Sequence, residues 1–235
     1  MSILNYLNDR KSSNGFGLLA LIDPDKKNDS KLDNILFKIN NSSFDAILIG
    51  GSRIEDELLE KRIAYIASNT KLPLISFPGS SSQISEQINS MLYLNLISGR
   101  NPKYLIDEQV QGAIKINKLK IETIPTAYIL LDGGTNTSVS NISKTSPLSM
   151  NDKNNILSHA LAGQFMGNKL IYFDCGSGSE NTITLDLLKY IFNSVNIPII
   201  VGGGIKSYKE AYNFYKNGAS FVVIGNALEN DIYIS

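Results

Sequence analysis

Eight short apolar, β-branched runs recur along this chain, and six of them are followed directly by glycine or aspartate. They are residues 17–22, 45–49, 73–77, 91–97, 126–131, 170–173, 198–201 and 221–224. Runs of this length with such residues read as strands, and the stretches between them carry helical periodicity. Eight strands alternating with helices close into one parallel barrel, the TIM-type (β/α)8 fold, whose reactive end lies at the strand C-termini. A doubly wound open sheet is the competing arrangement. Within 235 residues no proline-rich linker or low-complexity tract divides the chain, so residues 1–235 are expected to form a single barrel domain.

Local signals fill in this frame. Pro73 and Pro198 open their strands and Pro125 stands just ahead of its own, where a missing N–H costs least. Ser52-Arg53-Ile54-Glu55 reads as a capping box for a helix with Leu58, Leu59, Ile63 and Ile66 on its inner face. Asn101-Pro102 starts another, and further helices are expected over 186–192 and 208–215. Residues 79–90 have room only for a short helix, which modifies the barrel at its third helix.

Composition removes several chemistries. Lys plus Arg equals Asp plus Glu, at 22 each, so no broad basic field exists for nucleic acid, and Lys26-Lys27 reads as solvated surface. The single histidine, His159, excludes a multi-histidine zinc site and reads as a surface or packing residue. Cys175, the only cysteine, has no internal disulfide partner and reads as packing. Neither a signal peptide nor an apolar run of membrane-spanning length is visible, which gives the expectation of a soluble cytoplasmic protein.

The residues just past each strand carry the chemistry. Gly203 and Gly204, with Gly225 and Asn226, follow strands seven and eight, the usual phosphate-holding corner of such barrels. Gly176-Ser177-Gly178 can close a third side, with backbone N–H groups as donors. Asp23 and Ser52 end strands one and two. A carboxylate and a hydroxyl suit magnesium that also takes phosphate oxygens; they suit a helix cap and a capping box equally well.

At these motifs the sequence resembles the geranylgeranylglyceryl phosphate synthase family. The stretches that carry the resemblance are "LIDPDK" (21–26), "ILIGGS" (47–52), "NLISGRNPKYLI" (95–106), "DGGTNTSVSNIS" (132–143), "IYFDCGSG" (171–178), "VGGGIKS" (201–207) and "VIGNALE" (223–229). They span nearly the whole chain in order, and the longer segments are similar to the longer-chain group of archaeal-type and bacterial members.

The resemblance implies a magnesium-dependent prenyltransferase that joins sn-glycerol 1-phosphate to a polyprenyl diphosphate, geranylgeranyl first among them, and releases diphosphate. It implies Asp23 and Ser52 as magnesium ligands. The implied glycerol-phosphate site comprises Tyr172, Phe173, Asp174, Cys175, Gly176, Ser177, Gly178, Gly203, Gly204, Gly225 and Asn226. Asp174 is the implied proton acceptor, standing where many members have glutamate, and Tyr104 is placed in the wall of an apolar prenyl groove. A homo-oligomer, dimer or hexamer, and transient membrane-surface contact for the lipid product are also implied. After the eighth strand "ALENDIYIS" supplies only a short last helix, leaving a barrel face for subunit contacts to cover. A phosphosugar isomerase or synthase on the same barrel, and a non-catalytic phosphate-ligand binder, are the alternatives.

Overall fold

The computed structural model describes residues 1–51 and 57–234. The eight strands are β1 (Gly17–Ile22), β2 (Ala46–Ile49), β3 (Leu74–Ser76), β4 (Ser90–Leu96), β5 (Glu122–Leu130), β6 (Leu170–Asp174), β7 (Ile199–Gly202) and β8 (Phe221–Ile224). All neighbours pair in parallel, and β8 closes on β1, with Leu18 opposite Val222. This is the (β/α)8 barrel expected from the strand count.

Strand alternation splits the core in two. Leu19, Leu48, Leu92, Leu170, Ile200 and Phe221 fill the barrel, while Ala20, Ile47, Ile129, Ile171, Val201 and Val222 face the helices. The outer ring includes α2 (Leu32–Asn40), α3 (Leu59–Ser68), α4 (Glu108–Leu119), α6 (Lys153–Phe165), α7 (Leu185–Phe192) and α8 (Tyr208–Lys216), with a short α5 (Ser138–Ser143) after β5 and α9 (Asn226–Glu229) after β8. Side-chain caps fix the starts of α7 and α8: Thr184 accepts the Leu187 N–H and Ser207 that of Glu210. The proposed capping box at Ser52 lies outside the described residues. Ile63 and Ile66 of α3 are buried as expected, whereas Leu58 precedes the helix and is exposed.

An additional helix, α1 (Ile3–Asn14), was not expected from the sequence. It closes the barrel's lower end: Leu7 joins the interior core, and the Glu122 carboxylate accepts the N–H groups of Ile3 and Leu4 at 2.6 and 3.0 Å. The opposite end is therefore the open one.

Several strand boundaries differ from the sequence reading, most by one residue. Strand β5 begins four residues early, and Pro125 lies inside it. Pairing with β6 starts at Thr126 opposite Leu170; the Pro125 carbonyl accepts the Lys169 N–H at 2.8 Å on that side, and the missing proline N–H falls just before the β5–β6 ladder begins. Pro73 and Pro198 stand one residue ahead of their strands.

The third connection holds a single 3-10 turn, Ser81–Gln83, where a full helix would normally cover β3 and β4. A π-helical turn, Lys103–Asp107, leads into α4, and a small separate cluster of Ile84, Met91 and Ile116 forms between turn, strand and helix. The outer face of β4 is thereby left partly uncovered, and this shapes the site.

Candidate active site

A single cavity of about 600 Å³ opens at the C-terminal ends of the strands and continues past β4 into the space left by the missing helix. Its two ends differ in chemistry.

At one end, three loops meet. Gly176 and Gly178 after β6, and Gly203 and Gly204 after β7, all hold positive φ, between +71° and +91°. A side chain at Gly203 would come within 2.9 Å of the backbone of Cys175 and Gly176, so close contact between the two loops by itself requires a glycine there. The Cys175 N–H donates to the Gly202 carbonyl at 3.2 Å and locks them together. Among the described residues, the N–H groups of Ser177, Gly178, Gly203 and Gly204 donate no hydrogen bond. Asn226 after β8 completes the rim, with its Oδ1 accepting from the Ser177 hydroxyl at 3.3 Å. Such a concave set of unused donors suits a phosphate. Lys206 lies on the same wall.

Tyr172 and Asp174 stand in the middle, on the inward face of β6. Tyr128 from β5 donates its hydroxyl to Asp174 Oδ2, and the Gly176 N–H donates to Oδ1 at 2.8 Å. Burial raises the Asp174 carboxyl above its ordinary range, and those two bonds pull it part of the way back. Burial and the Asp174 charge push both tyrosines well above 10, so they remain donors. Phe77, Tyr128 and Tyr172 pack ring against ring beneath the cavity, with Phe77 and Tyr172 stacked at 5.3 Å.

Two residues of the expected glycerol-phosphate set point elsewhere. Phe173 and Cys175 alternate with Tyr172 and Asp174, so their side chains lie in the strand–helix layer with Ile129 and Leu187. Only their backbones can contribute to the loop. Burial lifts the Cys175 thiol to about 12, and it packs as expected. His159 sits on α6 beside Arg100, at 3.3 Å, outside the cavity.

Across the mouth, Asp23 ends β1. Its Oδ1 is buried without a hydrogen-bond partner, while its Oδ2 meets the Lys27 ammonium at 2.8 Å. A side chain at Gly51 would collide with this carboxylate, so the glycine after β2 makes room for it. Ser52, the second expected magnesium ligand, lies outside the described residues. Burial raises the Asp23 carboxyl, and Lys27 opposes the rise.

Sequence reading missed Lys27 and Glu229, both of which line the cavity. Lys27 looked like one of two surface lysines, and Glu229 comes from the far end of the chain; no local pattern joins them.

The other end is apolar. Leu94 and Leu96 lead from the rim to Tyr93, Met91, Ile84 and Ile116 on the outer side of β4, with Tyr104, Val139 and Ile142 opposite. Tyr104, expected in this wall, lies there and reaches the Ile142 carbonyl at 3.5 Å.

One carboxylate-lined cavity thus joins a set of glycine loops with unused N–H donors to an apolar groove. Residues 11–234 match the PcrB family. The chain belongs to that family. A geranylgeranylglyceryl phosphate synthase of Flavobacterium johnsoniae is 46% identical over 219 residues, covering 93% of this chain and 90% of that one. The synthase of Chitinophaga pinensis is 38% identical across 97% of this chain and 91% of its own. Among solved structures, the (S)-3-O-geranylgeranylglyceryl phosphate synthase of Thermoplasma acidophilum, in complex with its substrate sn-glycerol-1-phosphate, superposes with a TM-score of 0.87. It shares 32% identity, over 97% of this chain and 92% of that one. Membership of the family thus rests on nearly the full length.

Proposed function

We propose that this chain is a prenyltransferase that joins sn-glycerol 1-phosphate to a polyprenyl diphosphate, geranylgeranyl diphosphate first, giving the ether-linked prenylglyceryl phosphate and free diphosphate. The observation that carries this reading is the single cavity that runs from the glycine loops, past Asp174, into the groove beside β4. A phosphosugar isomerase would use the first half and have no occupant for the second. The Thermoplasma acidophilum relative, solved with sn-glycerol-1-phosphate, supports the choice of acceptor.

In this reading the N–H groups around Gly178, Gly203 and Gly204 hold the glycerol phosphate, each bond being of the charge-assisted kind. That hold turns the free hydroxyl toward the allylic C1. The oxygen–C1 bond forms as the C1–diphosphate bond breaks, and the hydroxyl proton passes to Asp174. A carboxylate has about four acceptor positions, and Tyr128 and Gly176 take two, so room remains for the hydroxyl. Apolar walls keep water from C1.

One carboxylate oxygen on the cavity wall supports a divalent cation, although among the described residues no group of three or more His, Cys, Asp or Glu gathers to hold one. Asp23 offers an unpartnered buried oxygen, and the wall on its side of the cavity carries Asp23, Asp25 and Glu229 against Lys27. A diphosphate entering so acidic a wall needs added positive charge. We assign that charge to magnesium at Asp23 and Ser52, which would neutralise the leaving diphosphate.

No helix among the described residues is long and apolar enough to cross a membrane. We place the enzyme in the cytoplasm, touching the membrane surface only to pass on its lipid product. Ile106 of the π-helical turn and Val110 and Ile114 of α4 are exposed at four-residue spacing, which supports assembly into a homo-oligomer.

The deciding experiment incubates the pure protein with sn-glycerol 1-phosphate and prenyl diphosphates of increasing length, following diphosphate release and product mass. Release that requires both substrates is expected. Binding of glycerol phosphate with no release for any prenyl length would instead identify a phosphate-ligand binder.

A further inference from the structure

Lys27 occupies the turn after β1, and its ammonium lies 2.8 Å from Asp23 Oδ2 and 3.7 Å from Glu229 Oε2. An ammonium has three donors, so one remains for the cavity that Lys27 lines. The turn is held from several sides. Asp25 accepts the Lys27 N–H at 3.2 Å, and Asn28 donates to the Asp23 carbonyl and to Glu229 Oε1, each at 2.8 Å. Glu229 Oε1 also accepts the Asp23 N–H at 3.2 Å.

Glu229 thus gathers three groups of the β1 turn, although it comes from the last turn of helix in the described chain. The same short segment begins with Gly225 and Asn226 beside the glycine loops. One rigid piece of backbone therefore ties the Lys27 turn to the phosphate end of the cavity. Of the two lysines in the described wall, Lys206 follows Gly204 on the phosphate side, and Lys27 stands on the Asp23 side.

We propose that Lys27 is a diphosphate-contacting residue, donating to the prenyl substrate's diphosphate and the departing product, and that Glu229 is the positioning residue that holds it toward the cavity. This rests on the prenyltransferase reading, because it assigns the diphosphate to the Asp23 side. Lys27 is about half-exposed, with its side chain 54% accessible, so its loss should leave the fold intact.

The test compares wild type with Lys27→Ala, Lys27→Arg and Glu229→Gln. Inorganic diphosphate binding is measured by calorimetry, steady-state constants are measured for both substrates, and thermal melting serves as a check on folding. Lys27→Ala should weaken inorganic diphosphate and raise the KM for prenyl diphosphate about tenfold, as fits one partly exposed charge-assisted contact. The KM for glycerol 1-phosphate should barely change. Lys27→Arg should restore most of the loss. Glu229→Gln keeps an acceptor for Asp23 and Asn28 but removes the charge facing Lys27, and should show a smaller loss of the same kind. Unchanged diphosphate affinity in Lys27→Ala, or equal rises for both substrates, would overturn the assignment while wild-type turnover leaves the prenyltransferase reading standing. Wild-type protein that turns over no prenyl diphosphate would overturn both.

Discussion

Tyr128 and Asp174 project from adjacent strands into the same cavity, and the tyrosine hydroxyl donates to the aspartate's Oδ2. With the Gly176 N–H on the other oxygen, the carboxylate is fixed in orientation before any substrate arrives. Asp174→Asn can keep this geometry, with the amide oxygen toward Gly176 and the amide nitrogen donating to the tyrosine oxygen, but it has no basicity. Attack on a cation-like carbon leaves proton loss late, so turnover should fall roughly a hundredfold, the low end for a positioned base. The KM for glycerol 1-phosphate should change far less. Wild-type turnover in this variant would reduce Asp174 to a positioning residue.

The same burial makes a stability prediction. Asp174 has its carboxyl raised above the ordinary 3.8, chiefly by desolvation. A native state that holds its proton more tightly than the unfolded chain gains stability that is complete below the unfolded value and lost as pH rises through the native one. Asp174→Asn, neutral throughout, should therefore melt above wild type at neutral pH, with the difference shrinking in acid. Thermal melts across the range check this, and a difference that grows in acid would contradict it. As the base must be ionised, the acid limb of wild-type kcat should lie above the ordinary carboxylate range.

Asp23 calls for a different readout. Its unpartnered Oδ1 and its contact with Lys27 are both lost or weakened in Asp23→Asn. Activity should drop by orders of magnitude with the melting temperature held, because the Asp23 charge is disfavoured by burial and its half-exposed partner Lys27 can turn to water. A chelator should abolish wild-type turnover and magnesium restore it. Near-normal activity in Asp23→Asn would end its assignment as a metal ligand.

The barrel was legible because strand and helix periods alternate cleanly, and β1 and β8 fall at the expected residues. Glycines after the strands marked the open end for the same reason, since backbone geometry is local. Facing was less legible: Phe173 and Cys175 share the motif of the glycerol-phosphate loop, yet strand alternation turns their side chains away from it. Lys27 and Glu229 were missed because their proximity is produced by closure of β8 on β1, across 202 residues of chain, which no local pattern records. The groove and Tyr104 in its wall were expected, but Met91, Ile84 and Ile116 were not, because their part of the wall depends on a helix that is missing.

Gly203 and Gly204 separate two reasons for a bare backbone. Gly203→Ala would press a Cβ against the Cys175 and Gly176 backbone, which cannot yield, so stability and both substrate constants should suffer. At Gly204 the nearest atoms are the Ser179 hydroxyl at 3.0 Å, which can rotate, and the Ser179 carbonyl oxygen at 3.1 Å, from which the loop need yield only a few tenths of an ångström. Gly204→Ala then carries mainly the positive-φ strain, about 1–2 kcal/mol, together with crowding of the phosphate. The KM for glycerol 1-phosphate should rise several-fold more than that for prenyl diphosphate. Equal rises would show that the loop has merely been distorted.

The groove beside β4 should measure the prenyl chain. Leu96 stands at the rim and Met91 five residues nearer the strand's start, which at about 3.3 Å per residue gives a descent of roughly 16 Å. Met91, Ile84 and Ile116 meet at its lower end, and Gly112 allows the closure, since a Cβ there would lie 2.8 Å from Ile84 Cδ1. Filling this end with a larger side chain should reject the last isoprene unit while leaving shorter chains unaffected. Each buried methylene contributes about 0.8 kcal/mol, so Met91→Trp should shift the kcat/KM ratio of farnesyl over geranylgeranyl diphosphate by at least about tenfold. Ile84→Ala should shift preference toward longer chains, because it opens the same end. Glycerol 1-phosphate constants should stay put in both variants, as its loops lie at the other end of the cavity. If neither substitution changes the ratio, the prenyl tail does not run down β4, and the groove has another occupant.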